Sequence, residues 1–449
     1  MSARLRPTDS VLEIAARLEA AGFEAWCVGG AIRDALLGGA PLDWDLATSA
    51  TPEKVRSIFG RGRTIPVGIE FGTVSVLDDE GVQHEVTTFR RDVKTDGRHA
   101  VVEFGASLDE DLARRDFTIN AIAFRPSTHE LRDPFGGQRD IERGVVRAVG
   151  DAEQRMREDR LRALRAIRFA SRYGFAIEPA TLEAIRRSAP HLTRLSHERV
   201  QQELVKTMEQ VRRPSEALRI WRDAGALKVL LPALAEVDDL TLATIDELPR
   251  AAEGAMTRPQ RTSNRVAALF LGVPAVETRR VLTNLRFSKH ETHWAAALGE
   301  RWQTVGEEMT VALRGGPLEG AQVRRWLARV GRTYTGAFVR IALARWTAMA
   351  RTGLPAPDAA AVRSLHRSMR RSLLSDPLEL ADLRVTGNDL RRAGIPAGPI
   401  YAKILHALLD QVLEEPARNA PEVLLAEVPA IVAALGRGVA SGPQPSSEP

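Results

Sequence analysis

The chain changes its hydrophobic rhythm once. Over its first part, short apolar runs of extended type alternate with helical ones. From about Asp140 onward nearly every segment carries the three-to-four spacing of amphipathic helices. Val11 to Ala21 reads as an amphipathic helix, Phe23 to Val28 as a strand, and a helix starts after Gly30. Leu42 to Ala47 predicts a second strand. Thr51-Pro52-Glu53 places a capping residue before a proline at the first helical position, so a helix should run to Phe59. Phe71 to Leu77 and Val82 to Phe89 alternate around the turn Asp78-Asp79-Glu80-Gly81, which predicts a hairpin. Arg90 to Ala100 is polar and contains glycine, and reads as a mobile loop. Met156 to Tyr173 reads as one helix. Strands followed by helices make an α+β chain. Its expected parts are a head with a mixed β-sheet over 1–125, a helical neck over 126–212, a helical body and tail over 213–436, and a disordered Gly/Ser/Pro-rich end over 437–449.

Composition narrows the class. At 449 residues the chain is too long for one core, and its 44% hydrophobic and 27% charged content is that of a globular protein. Its apolar runs are far short of a membrane span, and Met1-Ser2-Ala3-Arg4-Leu5-Arg6-Pro7 lacks the apolar core of a signal peptide. The expectation is a cytoplasmic protein with no membrane contact. The single cysteine, Cys27, excludes an internal disulfide and lies in the apolar run Ala25-Trp26-Cys27-Val28, as buried filler would. A net charge of +5 permits an acidic partner such as RNA without requiring one.

The candidate chemistry begins at Gly29-Gly30-Ala31-Ile32-Arg33-Asp34. Backbone N–H groups at a helix start attract phosphate oxygens, and glycine lets the backbone approach them closely. Arg33 lies one turn in, placed to clamp a triphosphate. On the next expected strand Asp43 and Asp45 would share one side, roughly 7 Å apart at Cα, with Trp44 turned to the core. Two carboxylates so spaced suit divalent, oxygen-seeking cations, most often Mg²⁺. Glu85 is either a third carboxylate of that site or an exposed strand acid. In Arg114-Arg115-Asp116-Phe117-Thr118-Ile119-Asn120-Ala121, an arginine at the mouth of an apolar run can hold ribose or phosphate, and Asn120 can be a satisfied turn residue. Asp133-Pro134-Phe135-Gly136-Gly137 reads as a structural turn closing the head.

Taken in order, Gly29-Gly30-x-x-Arg33-Asp34, Asp43-x-Asp45, Arg114-Arg115-Asp116-Phe117-Thr118-x-Asn120-Ala121, Asp133-Pro134-x-Gly136-Gly137 and Glu158-Asp159-x-x-Arg162 resemble the class II tRNA nucleotidyltransferase/bacterial poly(A) polymerase family. The motifs span about residues 25–205, with weaker resemblance to about 430. The resemblance implies a nucleotidyltransferase head that adds CCA to tRNA 3′ ends from CTP and ATP, releasing pyrophosphate. It implies Asp43 and Asp45 as Mg²⁺ ligands and catalytic residues. Gly30, Arg33 and Arg115 would position triphosphate and ribose. Asp159 and Arg162 would present acceptor and donors to the base edge, and Arg165 and Arg168 would hold triphosphate or sugar. Read as plain helix residues, Asp159 and Arg162 would instead form a local ion pair. The family's following helix corresponds to Glu198-Arg199-Val200-Gln201-Gln202-Glu203, where Glu198, Arg199 and Glu203 would brace the recognition helix.

The resemblance assigns the helical remainder to tRNA binding. Trp221, Trp294, Trp302, Trp326 and Trp346 fit core anchors better than stacking platforms, and Arg324-Arg325 and Arg367 to Arg371 are candidate phosphate contacts or solvated faces. Some relatives carry a phosphohydrolase module here; the matching stretches, Asp239-Leu240-Thr241-Leu242 and Ala268-Leu269-Phe270-Leu271-Gly272, hold no metal ligand. Within the class the alternatives are an enzyme adding only the terminal A and a poly(A) polymerase. Outside it stands a non-catalytic RNA-binding relative.

Overall fold

The computed structural model describes residues 5–41, 43–95, 100–248, 257–316 and 318–437. They fall into two compact units, Met1–Glu236 with Val281–Phe287, and Val237–Arg280 with Ser288–Pro449. No helix among the described residues is long and apolar enough to cross a membrane.

The first unit carries strands β1 (Ala25–Val28), β2 (Asp45–Thr48), β3 (Thr64–Ile65), β4 (Thr73–Leu77), β5 (Gln83–Thr88), β6 (Arg90–Thr95), β7 (Ala100–Phe104), β8 (Ala123–Arg125) and β9 (Glu130–Arg132). Seven of them form a mixed sheet in the order β3-β4-β5-β2-β1-β8-β9, with β2 and β5 parallel and the other pairs antiparallel. The β4–β5 hairpin turns where Asp78 Oδ1 accepts from the backbone N–H groups of Glu80 and Val82. Helices α1 (Asp9–Ala20), α2 (Gly30–Leu36) and α3 (Pro52–Phe59) follow the expected pattern, and Thr51 caps α3 by accepting from Lys54 N–H. Helix α4 (Leu108–Ala113) is set by a capping box between Ser107 and Glu110. The core around Trp26, Val28, Ala47, Phe89, Leu112, Ala121 and Ala123 carries the strand ends that present the site. Cys27, between Trp26 and Val28 on β1, is also buried, and burial pushes its thiol well above the usual range, as expected of inert filler.

Three expectations need correcting. Arg90 to Ala100 is not a loop: β6 and β7 form an antiparallel two-stranded ribbon, and only the tip, 96–99, lies outside the described residues. The strand expected from Leu42 begins at Asp45, so Asp43 precedes it. Trp44 is 1% exposed and donates to Pro41 O at 2.9 Å, which pins that approach loop and contributes about 2–3 kcal/mol of burial. The helix expected over Met156 to Tyr173 is two, α6 (Ala152–Glu158) after α5 (Gly137–Arg143), and α7 (Leu161–Tyr173). The break is Asp159, extended at φ −145° and ψ 107°, whose Oδ1 accepts from Leu161 N–H.

The strand run also passes residue 125, because β8 and β9 are one hairpin around it. The unit continues through α8 (Pro179–Ser188) and α9 (His197–Gln210), and the break expected at Arg212-Arg213-Pro214 is the loop after α9. The second unit is helical throughout its described residues. Trp302, Trp326 and Trp346 are buried there and Trp221 in the first unit, whereas Trp294 is half-buried against Tyr334 and His290. Leu242, Phe270 and Leu271 are core residues. The helix Pro421–Arg437 takes in the first residue of the end expected to be disordered, and 438–449 lie outside the described residues.

Candidate active site

The site starts where β1 ends. Gly29 turns the chain at φ +79°, a conformation that side chains rarely adopt, and α2 begins at Gly30. A Cβ on Gly29 would stand 3.2 Å from Arg115 Nη1 and 3.7 Å from Asp45 Oδ2, and one on Gly30 would stand 3.3 Å from Arg33 Nη2. The glycine pair therefore makes room for the charged groups that converge on it.

Antiparallel register sets Asp45 opposite Val28, and the parallel register Leu46↔Val86 brings Glu85 beside Asp45. The Asp45 carboxyl is pushed up to about 6, first by burial, then by the charges of Glu85 and Asp43, with Arg115 opposing. Asp43, in the approach loop, is exposed, so the expected strand spacing between the two aspartates does not hold, yet its charge still reaches Asp45. Among the described residues no three histidine, cysteine or acidic side chains are gathered tightly enough to hold a metal. The donor set nevertheless fits a divalent cation: hard carboxylate oxygens whose mutual repulsion a cation would relieve.

Beside the acids stands an arginine wall. Asp111, 1% exposed, holds Arg114 at 2.9 Å and Arg115 at 3.2 Å. Arg115 Nη1 also donates to Asn120 O at 3.4 Å, and its buried Nε has no partner. Arg33, 4% exposed, donates to Asn120 Oδ1 at 2.5 Å and to Asp34 Oδ1 at 2.8 Å, with its guanidinium 5.0 Å from the ring centres of both Phe169 and Tyr173. Asn120 Nδ2 in turn donates to Asp116 Oδ1 at 2.9 Å, and Asp116 Oδ2 accepts from Arg165 Nε and Nη2 at 2.9 and 2.7 Å. Burial opposes the Asp116 charge, but Arg165, the Asn120 amide and the Phe117 N–H outweigh it and hold the carboxyl below its ordinary range. The structural turn expected at Asp133 supports this chain. Asp133 accepts from Gly137 and Gln138 N–H, and Gly137 lies so close to Thr118 that a Cβ there would stand 2.1 Å from its carbonyl oxygen.

Asn120 thus joins Arg33 on α2 to Asp116 and, through it, to Arg165 on α7. Replacing it by isosteric aspartate keeps the acceptor for Arg33 and turns the bond to Asp116 into repulsion. The expected result is a loss of roughly 2–4 kcal/mol of stability, read as a lower denaturation midpoint. An unchanged midpoint contradicts the linking role.

The helix break decides where the expected recognition residues, Asp159 and Arg162, stand. Asp159 and Arg162 do not pair with each other. Asp159 Oδ2 accepts from Arg199 at 2.7 Å, while Arg162 Nη1 donates to Glu158 Oε2 at 2.8 Å and Arg155 O at 3.2 Å, and Nη2 to Arg114 O at 3.1 Å. Glu158 also accepts from Arg155, at 2.5 Å. These bonds fix both side chains without exhausting them. A carboxylate offers about four acceptor directions and a guanidinium five N–H donors, so acceptor capacity remains on Asp159 and donor capacity on Arg162. Farther along α7, Arg168 Nε donates to buried Glu203 Oε1 at 2.5 Å, and Gln210 Oε1 accepts from Arg168 and Arg172 at 3.2 Å each. Of the three expected braces, Arg199 contacts Asp159 and Glu203 contacts Arg168. Glu198 instead faces Arg286 at 3.3 Å between exposed side chains.

Gly30, Arg33, Asp45, Arg115, Asp159, Arg162, Arg165 and Arg168 line one open cleft of about 560 Å³. Of the candidate carboxylates, Asp43 and Glu85 do not line it. Two further participants escaped the sequence reading. Asp111 carried a signal, its spacing of three and four from Arg114 and Arg115. Lys206 carried none. The cleft arginines each have a carboxylate within 4.0 Å (Asp34, Asp111, Asp116, Glu158, Asp159 or Glu203), whereas Lys206 is exposed and has none among the described residues.

Residues 25–147 match the family described as the Poly A polymerase head domain, and residues 174–237 that described as the probable RNA and SrmB-binding site of polymerase A. The chain is 35% identical over 426 residues to the CCA-adding enzyme of Geobacillus kaustophilus, covering 94% of this chain and 96% of the relative. To the CCA-adding enzyme of Leuconostoc mesenteroides it is 49% identical over 197 residues, 43% of this chain and 48% of the relative. The solved Bacillus stearothermophilus CCA-adding enzyme in complex with CTP matches with a TM-score of 0.67 at 33% identity, over 97% of this chain and 100% of that one.

Proposed function

Because the chain belongs to the CCA-adding enzyme family, we propose that it is a template-independent tRNA nucleotidyltransferase, building the 3′-CCA end from CTP and ATP with release of pyrophosphate. The observation that carries the reading to these residues is the cleft, where a carboxylate end, an arginine wall and a base-reading pair share one space.

The family is metal-dependent, and Mg²⁺ held by Asp43 and Asp45 is the proposed cation; when bound it supplies an activated hydroxyl and offsets charge on the leaving pyrophosphate. The chain's own residues do the rest. Gly29 and Gly30 let phosphate oxygens approach the start of α2, and Arg33 and Arg115, fixed by Asn120 and Asp111, orient triphosphate and ribose for in-line attack by the tRNA 3′-hydroxyl. Asp159 accepts from the exocyclic amine that cytosine and adenine share, and Arg162 donates to a ring nitrogen. Uracil and guanine put a carbonyl where that amine stands, and Asp159 repels it. The protein thereby takes the place of a template strand.

Lys206, the cation without a carboxylate, is assigned to the triphosphate. Lys206→Met should raise KM for CTP and ATP by about 10-fold, with kcat and the KM for tRNA little changed, because one charge-assisted phosphate contact contributes roughly 1.5 kcal/mol. Lys206→Arg should restore most of it. A KM change confined to tRNA contradicts the assignment.

Pyrophosphate release tests the function itself. On tRNA lacking CCA it should require CTP, with ATP alone inert, whereas tRNA ending in CC should accept one A. One A added to the CC-ending tRNA, with the tRNA lacking CCA inert to CTP, would indicate the A-adding alternative, runs of A on both substrates the poly(A)-forming one, and tight tRNA binding without metal-dependent turnover the non-catalytic one.

A further inference from the structure

Tyr173 closes α7, just before the left-handed Gly174, and does not line the cleft. Its hydroxyl nevertheless reaches back 139 positions to the phosphate end of the site, where it donates to Asp34 Oδ1 at 2.8 Å. The same oxygen accepts from Arg33 Nε at 2.8 Å, and Arg33 Nη2 stands equally close to it. The other oxygen, Asp34 Oδ2, faces Arg172 at 3.7 Å. Burial pushes the Tyr173 phenol up to about 12, so it stays a donor throughout the neutral range.

Arg33 is held on its other sides as well. Its Nη1 donates to Asn120 Oδ1 at 2.5 Å, and the rings of Phe169 and Tyr173, 12° from parallel, each lie 5.0 Å from its guanidinium carbon. Donor capacity remains on Nη1 and Nη2. Nη2 is the nitrogen beside Gly30, within 3.3 Å of where a Cβ would stand, so it borders the space that the glycine pair leaves open. Its aim there depends on the Asp34 carboxylate. That carboxylate has two cationic claimants, Arg33 and Arg172, and Arg172 also has Gln210 Oε1 at 3.2 Å. The Tyr173 hydroxyl decides between them, because it fixes Oδ1 on the Arg33 side. Arg33 belongs to α2 at the glycine turn, whereas Tyr173 belongs to α7, which carries Arg162, Arg165 and Arg168.

We propose that Tyr173 is a positioning residue for the incoming nucleotide: acting through Asp34, it sets Arg33 for the triphosphate and so makes phosphate capture depend on the helix that reads the base. The inference rests on the nucleotidyl-transfer reading of the cleft. A tyrosine that merely packs would support the fold without favouring phosphate over any other ligand.

The test is Tyr173→Phe in the full chain, which removes one hydroxyl and keeps the ring against Arg33. KM for CTP and for ATP should rise about 3- to 10-fold, as the loss of one hydrogen bond to a charged group acting at one remove. Inhibition by inorganic pyrophosphate should weaken by the same factor, because the disturbance lies at the phosphate end. The kcat, the KM for tRNA and the ratio of C to U incorporation should be little changed. In an Asp34→Ala background the same substitution should cost nothing further, since its route runs through that carboxylate. Unchanged KM values for both nucleotides overturn the inference, as does an equal rise in the Asp34→Ala background. A rise confined to the KM for tRNA, with pyrophosphate inhibition intact, overturns it too. If the unsubstituted protein transfers no nucleotide to tRNA, the functional reading falls and takes this inference with it.

Discussion

Replacing Asp43 and Asp45 together by alanine should abolish nucleotide transfer, lowering kcat by about 10³-fold or more while CTP still binds. A metal-assisted displacement draws several kcal/mol of charge stabilisation from its cation, and each 1.36 kcal/mol is about a factor of ten in rate. The two acids should contribute unequally. Asp45 lines the cleft, half-buried between β1 and β5, and its raised carboxyl reflects burial and acidic neighbours that a cation would relieve. Asp43 is exposed in the loop anchored by Trp44. Asp45→Asn alone should therefore cause most of the loss, and Glu85→Gln a smaller one, about 10- to 100-fold. Single-turnover transfer of labelled C to tRNA, with CTP binding measured separately, reads both. Undiminished incorporation by the double variant would sink the metal-site assignment.

The second large effect falls on base choice. Asp159→Asn should lower kcat/KM for CTP and ATP by about 10- to 100-fold and raise the U-to-C incorporation ratio, because a well-placed hydrogen-bonded pair carries about 1–3 kcal/mol of discrimination. The new amide can donate to the uracil carbonyl that a carboxylate repels. Arg199→Gln is the informative control. Arg199 touches Asp159 and not the base in this account, so its loss should weaken C and A in parallel without admitting U. Parallel loss for all four bases in Asp159→Asn would contradict the assignment.

Both effects depend on features of unequal legibility. The glycine turn, Asp45, the arginine run and the capped α3 were readable because each rests on neighbours in sequence: a cap and its proline, a helix start, a strand register. The structure differs where a partner comes from afar. Helical periodicity at Leu161, Leu164 and Ile167 runs smoothly back to Met156, and it cannot register one extended residue. Asp159 breaks that helix with its own side chain on Leu161 N–H, and its ion pair with Arg199 crosses 40 positions. Arg33 to Asn120 spans 87 positions and Arg168 to Glu203 spans 35, so no spacing rule brings them together. The β6–β7 ribbon stands outside the main sheet, and the polar run of β6, Arg90–Thr95, carries no alternation of apolar and polar residues from which a strand can be read. β2 starts later than its apolar pattern indicates because the bond from Trp44 to Pro41 O holds the approach outside the sheet up to Asp45.

One protein cleft is expected to choose cytosine and adenine without a nucleic-acid template and to stop after three additions. The most direct test supplies the unsubstituted protein with a tRNA lacking CCA and all four nucleoside triphosphates in equal amount, then sequences the 3′ ends. The expected 3′ end is C, C, A and nothing further. A run of adenosines, or uridine and guanosine entering at rates comparable to cytidine, would contradict it.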